Sequence, residues 1–96
     1  MANQIRITPE AMHDRANEFR GAQADFDQIV EKMRGLITTL QGEWEGQASN
    51  RFASQFEALQ PSFTKMSELI FDIAKQCDDV ADATQALDEE IASKFL

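Results

Sequence analysis

The sequence predicts an all-α protein, an antiparallel helix-turn-helix hairpin that dimerises into a four-helix bundle. Three observations carry this. Apolar side chains recur on a seven-residue beat in both halves of the chain, a glycine-bearing interruption separates the halves, and the apolar stripes are wider than one hairpin can cover.

The first helix is expected over about 9–41. Ile5-Arg6-Ile7 forms a short extended lead into Thr8-Pro9-Glu10, which supplies an N-cap, a proline at the first helical position and an acid in the first turn. From there Met12, Phe19, Phe26, Met33 and Leu40 form one column, and Ala16, Val30, Ile37 and Trp44 form the other, interrupted by Gln23. Alternating steps of four and three keep one stripe facing a partner, because 3.5 residues per repeat is the period of a helical seam.

The turn is expected over 42–47. Gly42 and Gly46 bracket Glu43-Trp44-Glu45, and glycine most readily takes the backbone conformations that end a helix. The second helix is expected over about 48–95. Phe56, Phe63, Ile70, Cys77, Thr84 and Ile91 form one column, while Phe52, Leu59, Met66, Ile73, Val80 and Leu87 form the other. Pro61 lies inside this pattern, lacks an amide hydrogen and crowds the carbonyl of Glu57, so a kink is expected there. The heptad phase runs through it unchanged, which favours one bent helix over two. At 1.5 Å per residue the arms would be about 50 and 70 Å long, making a rod.

Two antiparallel helices cover only the stripe between them. Ala22, Ile29 and Leu36 widen the first stripe, Leu69, Ala74, Ala81 and Ala83 the second, and Phe71 lies further round. Burying half a dozen more large side chains, at about 1.5–3 kcal/mol each, rivals the whole stability of a small domain. A dimer is therefore expected, with Phe19, Phe26, Val30, Met33, Ile37, Phe56, Phe63, Ile70, Ile73, Cys77 and Val80 as the candidate core of hairpin and bundle.

Composition narrows the function. A formal charge of -8 opposes binding to nucleic acid, which needs clustered Lys and Arg, and opposes docking on anionic lipid. No apolar run approaches the roughly 18–20 residues of a membrane span, and Met1-Ala2-Asn3-Gln4-Ile5-Arg6 has no apolar core of a signal peptide, so no stable membrane insertion and no cleaved signal are expected. One cysteine and one histidine are too few for a structural zinc site, and no cofactor is expected.

Nothing in the chain resembles a catalytic constellation. His13, beside Asp14, reads as an exposed histidine near a helix start, and Cys77 falls on a heptad column as a small apolar residue. Adjacent acids such as Asp78-Asp79 and Glu89-Glu90 do not face each other on a helix. Between Lys75 and Lys94, the acids Asp78, Asp79, Asp82, Asp88, Glu89 and Glu90 have no base among them. They read as a solvated face or as a docking segment for a basic partner.

Trp44-Glu45-Gly46, between two helices near the middle of the chain, resembles the signature of the WXG-100 family, the early-secreted-antigen-like substrates of type VII secretion in Gram-positive bacteria. The opening Ile5-x-Ile7-Thr8-Pro9-Glu10, the run Trp44-Glu45-Gly46-Gln47-Ala48 with Arg51-Phe52 and Gln55-Phe56, and Leu59-x-Pro61 resemble the Firmicute members along the whole chain. The resemblance implies a hairpin pairing antiparallel, as a homodimer or as a heterodimer with a related protein, and export without a cleaved signal peptide. It implies recognition of a C-terminal helical segment by a membrane-bound ATPase of the FtsK/SpoIIIE type, and work as an effector or as an export partner or adaptor for larger secreted proteins. The family's tyrosine signal is absent, since the chain has no Tyr. A looser family pattern of one hydrophobic residue, an acid and two further hydrophobics resembles Thr84, Asp88, Ile91 and Phe95, with Thr84 standing at a hydrophobic position. These four lie along one side of a helix. In an antiparallel dimer each tail would approach the partner's turn, which makes a composite site with Trp44 and Gly46 an expectation. The rival reading is an intracellular coiled-coil scaffold or helical adaptor.

Overall fold

A computed structural model describes residues 7–44 and 46–94. Its elements are α1 (Pro9–Glu43), α2 (Gln47–Ala58) and α3 (Gln60–Lys94). No strand occurs among the described residues.

Thr8 starts α1 as its side chain implies. Its backbone is extended, at φ -79° and ψ 157°, and its hydroxyl accepts a hydrogen bond from the Ala11 amide at 3.1 Å. That bond satisfies one of the amides left over in a first helical turn, and Pro9 occupies the position where a missing amide costs nothing. Helix α1 continues to Glu43, past the expected end near residue 41, because Gly42 keeps helical backbone. The reversal is accordingly tighter than the expected 42–47 and lies between Trp44 and Gly46, with Glu45 outside the described residues.

Where one bent helix was expected, helical bonding is interrupted at Leu59. This residue keeps helical torsions, φ -85° and ψ -8°, and its amide is shared between the carbonyls of Gln55 and Phe56 at 3.2 and 3.1 Å. The physical reason is Pro61, which has no amide hydrogen for the carbonyl of Glu57 and so ends the regular ladder one turn before itself. Pro61 then occupies the first turn of α3, where proline is tolerated, and the Phe63 amide resumes the pattern on the Leu59 carbonyl at 3.0 Å.

The second arm folds back along α1 as a rod of 76 × 25 × 19 Å. Its radius of gyration, 21.6 Å, far exceeds the about 13 Å of a compact domain of this length. A rod this thin buries little. Among the described residues the buried apolar side chains are Ala16, Val30, Phe56, Ala74 and Ala81.

These positions locate the seam. On α1 it is the column Ala16, Gln23, Val30 and Ile37, all buried or half-buried. On the second arm it is Ala53, Gln60, Ser67, Ala74 and Ala81, likewise buried or half-buried, flanked by Phe56, Phe63, Ile70, Cys77 and Thr84. The expected second column, Phe52 to Leu87, lies one step away from this line. Its members other than Ile73 are exposed. Small residues face α1 because an alanine lets two helix axes approach, whereas Leu or Met at the same place would hold them apart. Gln23, the break in the apolar column, donates to the Ser67 hydroxyl across the seam at 3.0 Å, so two half-buried polar groups satisfy each other. Beside them the rings of Phe26 and Phe63 meet edge-on at 6.4 Å, and Phe63 packs on Phe56 at 5.4 Å.

Candidate functional site: the turn, the open face and the tail

Three features of the hairpin carry its surface chemistry. At the turn, Trp44 caps α1, its amide donating to the Leu40 carbonyl at 2.8 Å. Its ring is 45% exposed and stands 5.9 Å from that of Phe52, so it leans on the second turn of α2 and still faces solvent. Gly46 caps α2 at φ 141° and ψ 178°. That region is essentially closed to residues with a Cβ, and no neighbour lies within 4 Å of where a Cβ would stand, so backbone conformation alone selects glycine. In the first turn of α2, Ser49 is buried. Sequence reasoning marked Trp44, Glu45 and Gly46 as one motif. Among the described residues the structure separates the roles of Trp44 and Gly46: an exposed ring and a required torsion.

The second feature is asymmetry about the seam. On one flank, polar side chains bridge the arms: His13 and Arg20 reach Asp78, and Arg34 reaches Glu57 and Gln60. His13, Arg20 and Arg34 share one heptad column of α1, and Glu57 and Asp78 share one of the second arm. The opposite flank is apolar on both arms. Phe19, Ile29, Leu36 and Leu40 on α1 are exposed, as are Phe52, Leu59, Met66, Val80 and Leu87 on the second arm, with Ile29, Leu36 and Leu87 at 55%. Heptad geometry places these columns on the same side of the rod, because in antiparallel helices equivalent steps from facing columns turn toward the same flank. Of the eleven candidate core residues, Val30 and Phe56 are buried within the hairpin. Phe26, Met33, Ile37, Phe63, Ile70, Ile73 and Cys77 are half-buried, and Phe19 and Val80 stand exposed on this open flank.

The third feature is the tail. Thr84 is half-buried at the end of the seam, Asp88 and Ile91 are exposed on the last turns of α3, and Phe95 lies outside the described residues. Thr84 and Ile91 continue the column of Cys77, so the tail is a direct extension of the hairpin's packing stripe.

Sequence reasoning missed the ion pairs on the polar flank. Asp78 and Asp82 have no base among the acids around them, yet the structure supplies theirs from α1, while Lys75 and Lys94 of α3 itself serve Asp79 and Glu90. His13 Nδ1 lies 2.6 Å from Asp78 Oδ1, His13 Nε2 lies 3.4 Å from Asp82 Oδ1, and Arg20 pairs with Asp78 Oδ2. Asp79 is held by Lys75 at 3.0 Å and Glu90 by Lys94 at 3.5 Å. His13 is therefore a cross-helix partner, not a free histidine at a helix start. The hydrogen bond to Asp78, with the charges of Asp78 and Asp82, raises its pKa above 6.5 against an opposing desolvation. The hydrogen bonds from Arg20 and then His13 lower the pKa of Asp78 below 3.8. The signal available in sequence was the spacing of seven between His13 and Arg20, which places both on one face.

With this geometry in hand, likeness to known proteins is informative. Residues 4–89 match the family described as "WXG100: Proteins of 100 residues with WXG". The chain is 36% identical over 95 residues to Protein YukE of Bacillus subtilis, covering 99% of this chain and 98% of that one. It is 29% identical over 91 residues to the Type VII secretion system extracellular protein A of Staphylococcus aureus, covering 95% and 94%. Among solved structures, EsxA of Geobacillus thermodenitrificans superposes with a TM-score of 0.81 at 33% identity, covering 96% of this chain and 99% of that one. The secreted protein EsxB of Bacillus anthracis superposes with a TM-score of 0.79 at 25% identity, covering 92% and 99%. A match from the opening of α1 to the last turns of α3, with Trp44 and Gly46 at the reversal of a helical hairpin, places the chain in the WXG100 family.

Proposed function

We propose that this chain is a small secreted protein of a type VII secretion system, acting through protein–protein binding as an effector or as an export partner or adaptor, and not an enzyme. The observation that carries the reading is the end-to-end match to relatives named as extracellular proteins of that system. The open flank supports it, since a rod with this much exposed apolar surface is built to be covered.

The working unit in this reading is a homodimer. A second copy offers the same apolar flank, and a two-fold axis makes such a patch self-complementary, giving a four-helix bundle whose core is the exposed columns of both hairpins. The polar flanks then stay in water. Antiparallel pairing brings each copy's tail toward its partner's turn, so Thr84, Asp88, Ile91 and Phe95 form a composite recognition site with Trp44 and Gly46 for an FtsK/SpoIIIE-type ATPase. Larger secreted proteins are the class of cargo that an adaptor of this kind escorts.

Export is tested by immunoblotting culture supernatant and cell lysate beside a cytosolic marker, for the full chain and for a form lacking residues 84–96. The full chain is expected outside the cells and the shortened one inside. Equal export of both refutes the tail assignment, and retention of both favours an intracellular scaffold.

A further inference from the structure

On the polar flank, the cluster formed by His13, Arg20, Asp78 and Asp82 joins the first turns of α1 to the middle of α3, 58 to 69 residues apart along the chain. We propose that this cluster is a protonation-dependent clasp: a charged His13 pins α3 at Asp78 and Asp82 against the start of α1, and loss of that charge frees α3 from there onward.

Geometry is the first support. Both ring nitrogens face carboxylate oxygens, Nδ1 toward Asp78 at 2.6 Å and Nε2 toward Asp82 at 3.4 Å. A neutral imidazole carries one N–H, so one nitrogen would then turn a lone pair toward a carboxylate. Only the imidazolium suits both contacts. Arg20 holds the other oxygen of Asp78 and is itself oriented by Asn17 at 3.0 Å, which fixes the carboxylate where His13 meets it.

The surroundings favour the charged ring. Asp78 and Asp82 face it from α3, and on its own helix Glu10 lies one turn back and Asp14 is adjacent; Arg20, which shares Asp78, is the opposing base. The second support is position. Within one hairpin the described side chains of α3 beyond Ala81 are exposed except Thr84, so apolar packing against α1 does little to hold this end and the ionic contacts to α1 carry a larger share. The clasp also lies on the flank away from the open apolar face, so covering that face leaves it in contact with solvent.

The direction follows from linkage. A histidine whose pKa is raised on folding gives its full contribution below about 6.5, the unfolded value, and loses it as pH rises through the folded value. Asp78 behaves oppositely, contributing above 3.8 and losing its contribution as pH falls through its lowered value. The clasp is closed in mildly acidic solution and opens as pH rises through the raised His13 value. The segment it releases carries the proposed export signal; that consequence rests on the export reading, whereas the clasp itself does not.

His13 is the chain's one histidine, so its ring proton resonances are unambiguous by NMR. The full-length protein is titrated between about pH 5 and 9 while amide hydrogen exchange, corrected for its intrinsic pH dependence, is followed along α3. Protection at residues 78–90 is expected to fall several-fold over the interval in which His13 titrates, with protection at 60–67 unchanged. In His13→Gln the step should vanish and protection at 78–90 should stay low throughout. Asp82→Asn, which spares Arg20 and Asp78, should lower the His13 midpoint. A step that persists in His13→Gln, protection indifferent to the His13 titration, or a midpoint unmoved by Asp82→Asn overturns the clasp. None of these readouts depends on export.

Discussion

At the turn, one backbone torsion separates the two members of the motif that the structure describes. Gly46 at φ 141° cannot be replaced without strain, although the space around it is empty. Gly46→Ala is expected to destabilise the fold by about 1–3 kcal/mol, the cost of forcing a Cβ into that region. Urea unfolding followed by circular dichroism measures it, and a loss below about half a kcal/mol would show that the turn simply rearranges. Trp44 is different. Its ring is half in water, so Trp44→Ala should cost less stability than a buried aromatic would, while removing the largest apolar group at the tip. Gln23 makes the same point in reverse: a residue that looks like a flaw in an apolar column is satisfied once Ser67 stands opposite.

Helix starts and breaks are set by single residues acting on the whole element. Thr8→Ala removes the hydroxyl that holds the Ala11 amide and should cost about 1 kcal/mol, seen as fraying of the first turn of α1 in hydrogen exchange. Pro61→Ala restores an amide that can donate to the Glu57 carbonyl, merging α2 and α3. Because Pro61 already sits in the first turn of α3, the change in stability should stay within about 1 kcal/mol, while the new amide at position 61 becomes protected from exchange. Arg34 spans this break from α1, bonding Glu57 at 2.8 Å on one side and Gln60 on the other, with its guanidinium 5.1 Å over the Phe56 ring. The break is therefore pinned to α1, and merging the helices has to preserve that contact.

For the whole molecule, the decisive quantity is apolar surface left in water. Met66 and Val80 are 45% and 49% exposed in the single hairpin, and both lie on the open flank. Met66→Asp is expected to leave helicity intact and convert the protein to a single copy, because a charge is tolerated in water but not in a bundle core. Sedimentation equilibrium reads this directly; an unchanged mass would move the interface elsewhere. Phe26→Asp should be harsher, since Phe26 already packs on Phe63 within one hairpin, and should lower helicity as well as mass.

The heptad beat, the cap at Thr8, the glycines of the turn and the width of the apolar stripes are local or periodic properties, and so the helical hairpin and its appetite for a partner were legible residue by residue. What periodicity cannot say is which of two adjacent columns faces inward. That was decided by side-chain volume, with Ala74 and Ala81 allowing the arms to close on their side and leaving Met66 and Val80 outside. The ion pairs of His13 and Arg20 with Asp78 and Asp82 were equally hidden, because they join residues 58 to 69 positions apart and exist only once the arms lie in register. Repetition along a chain encodes the element, but contact between distant segments depends on the angle and register at which two elements meet.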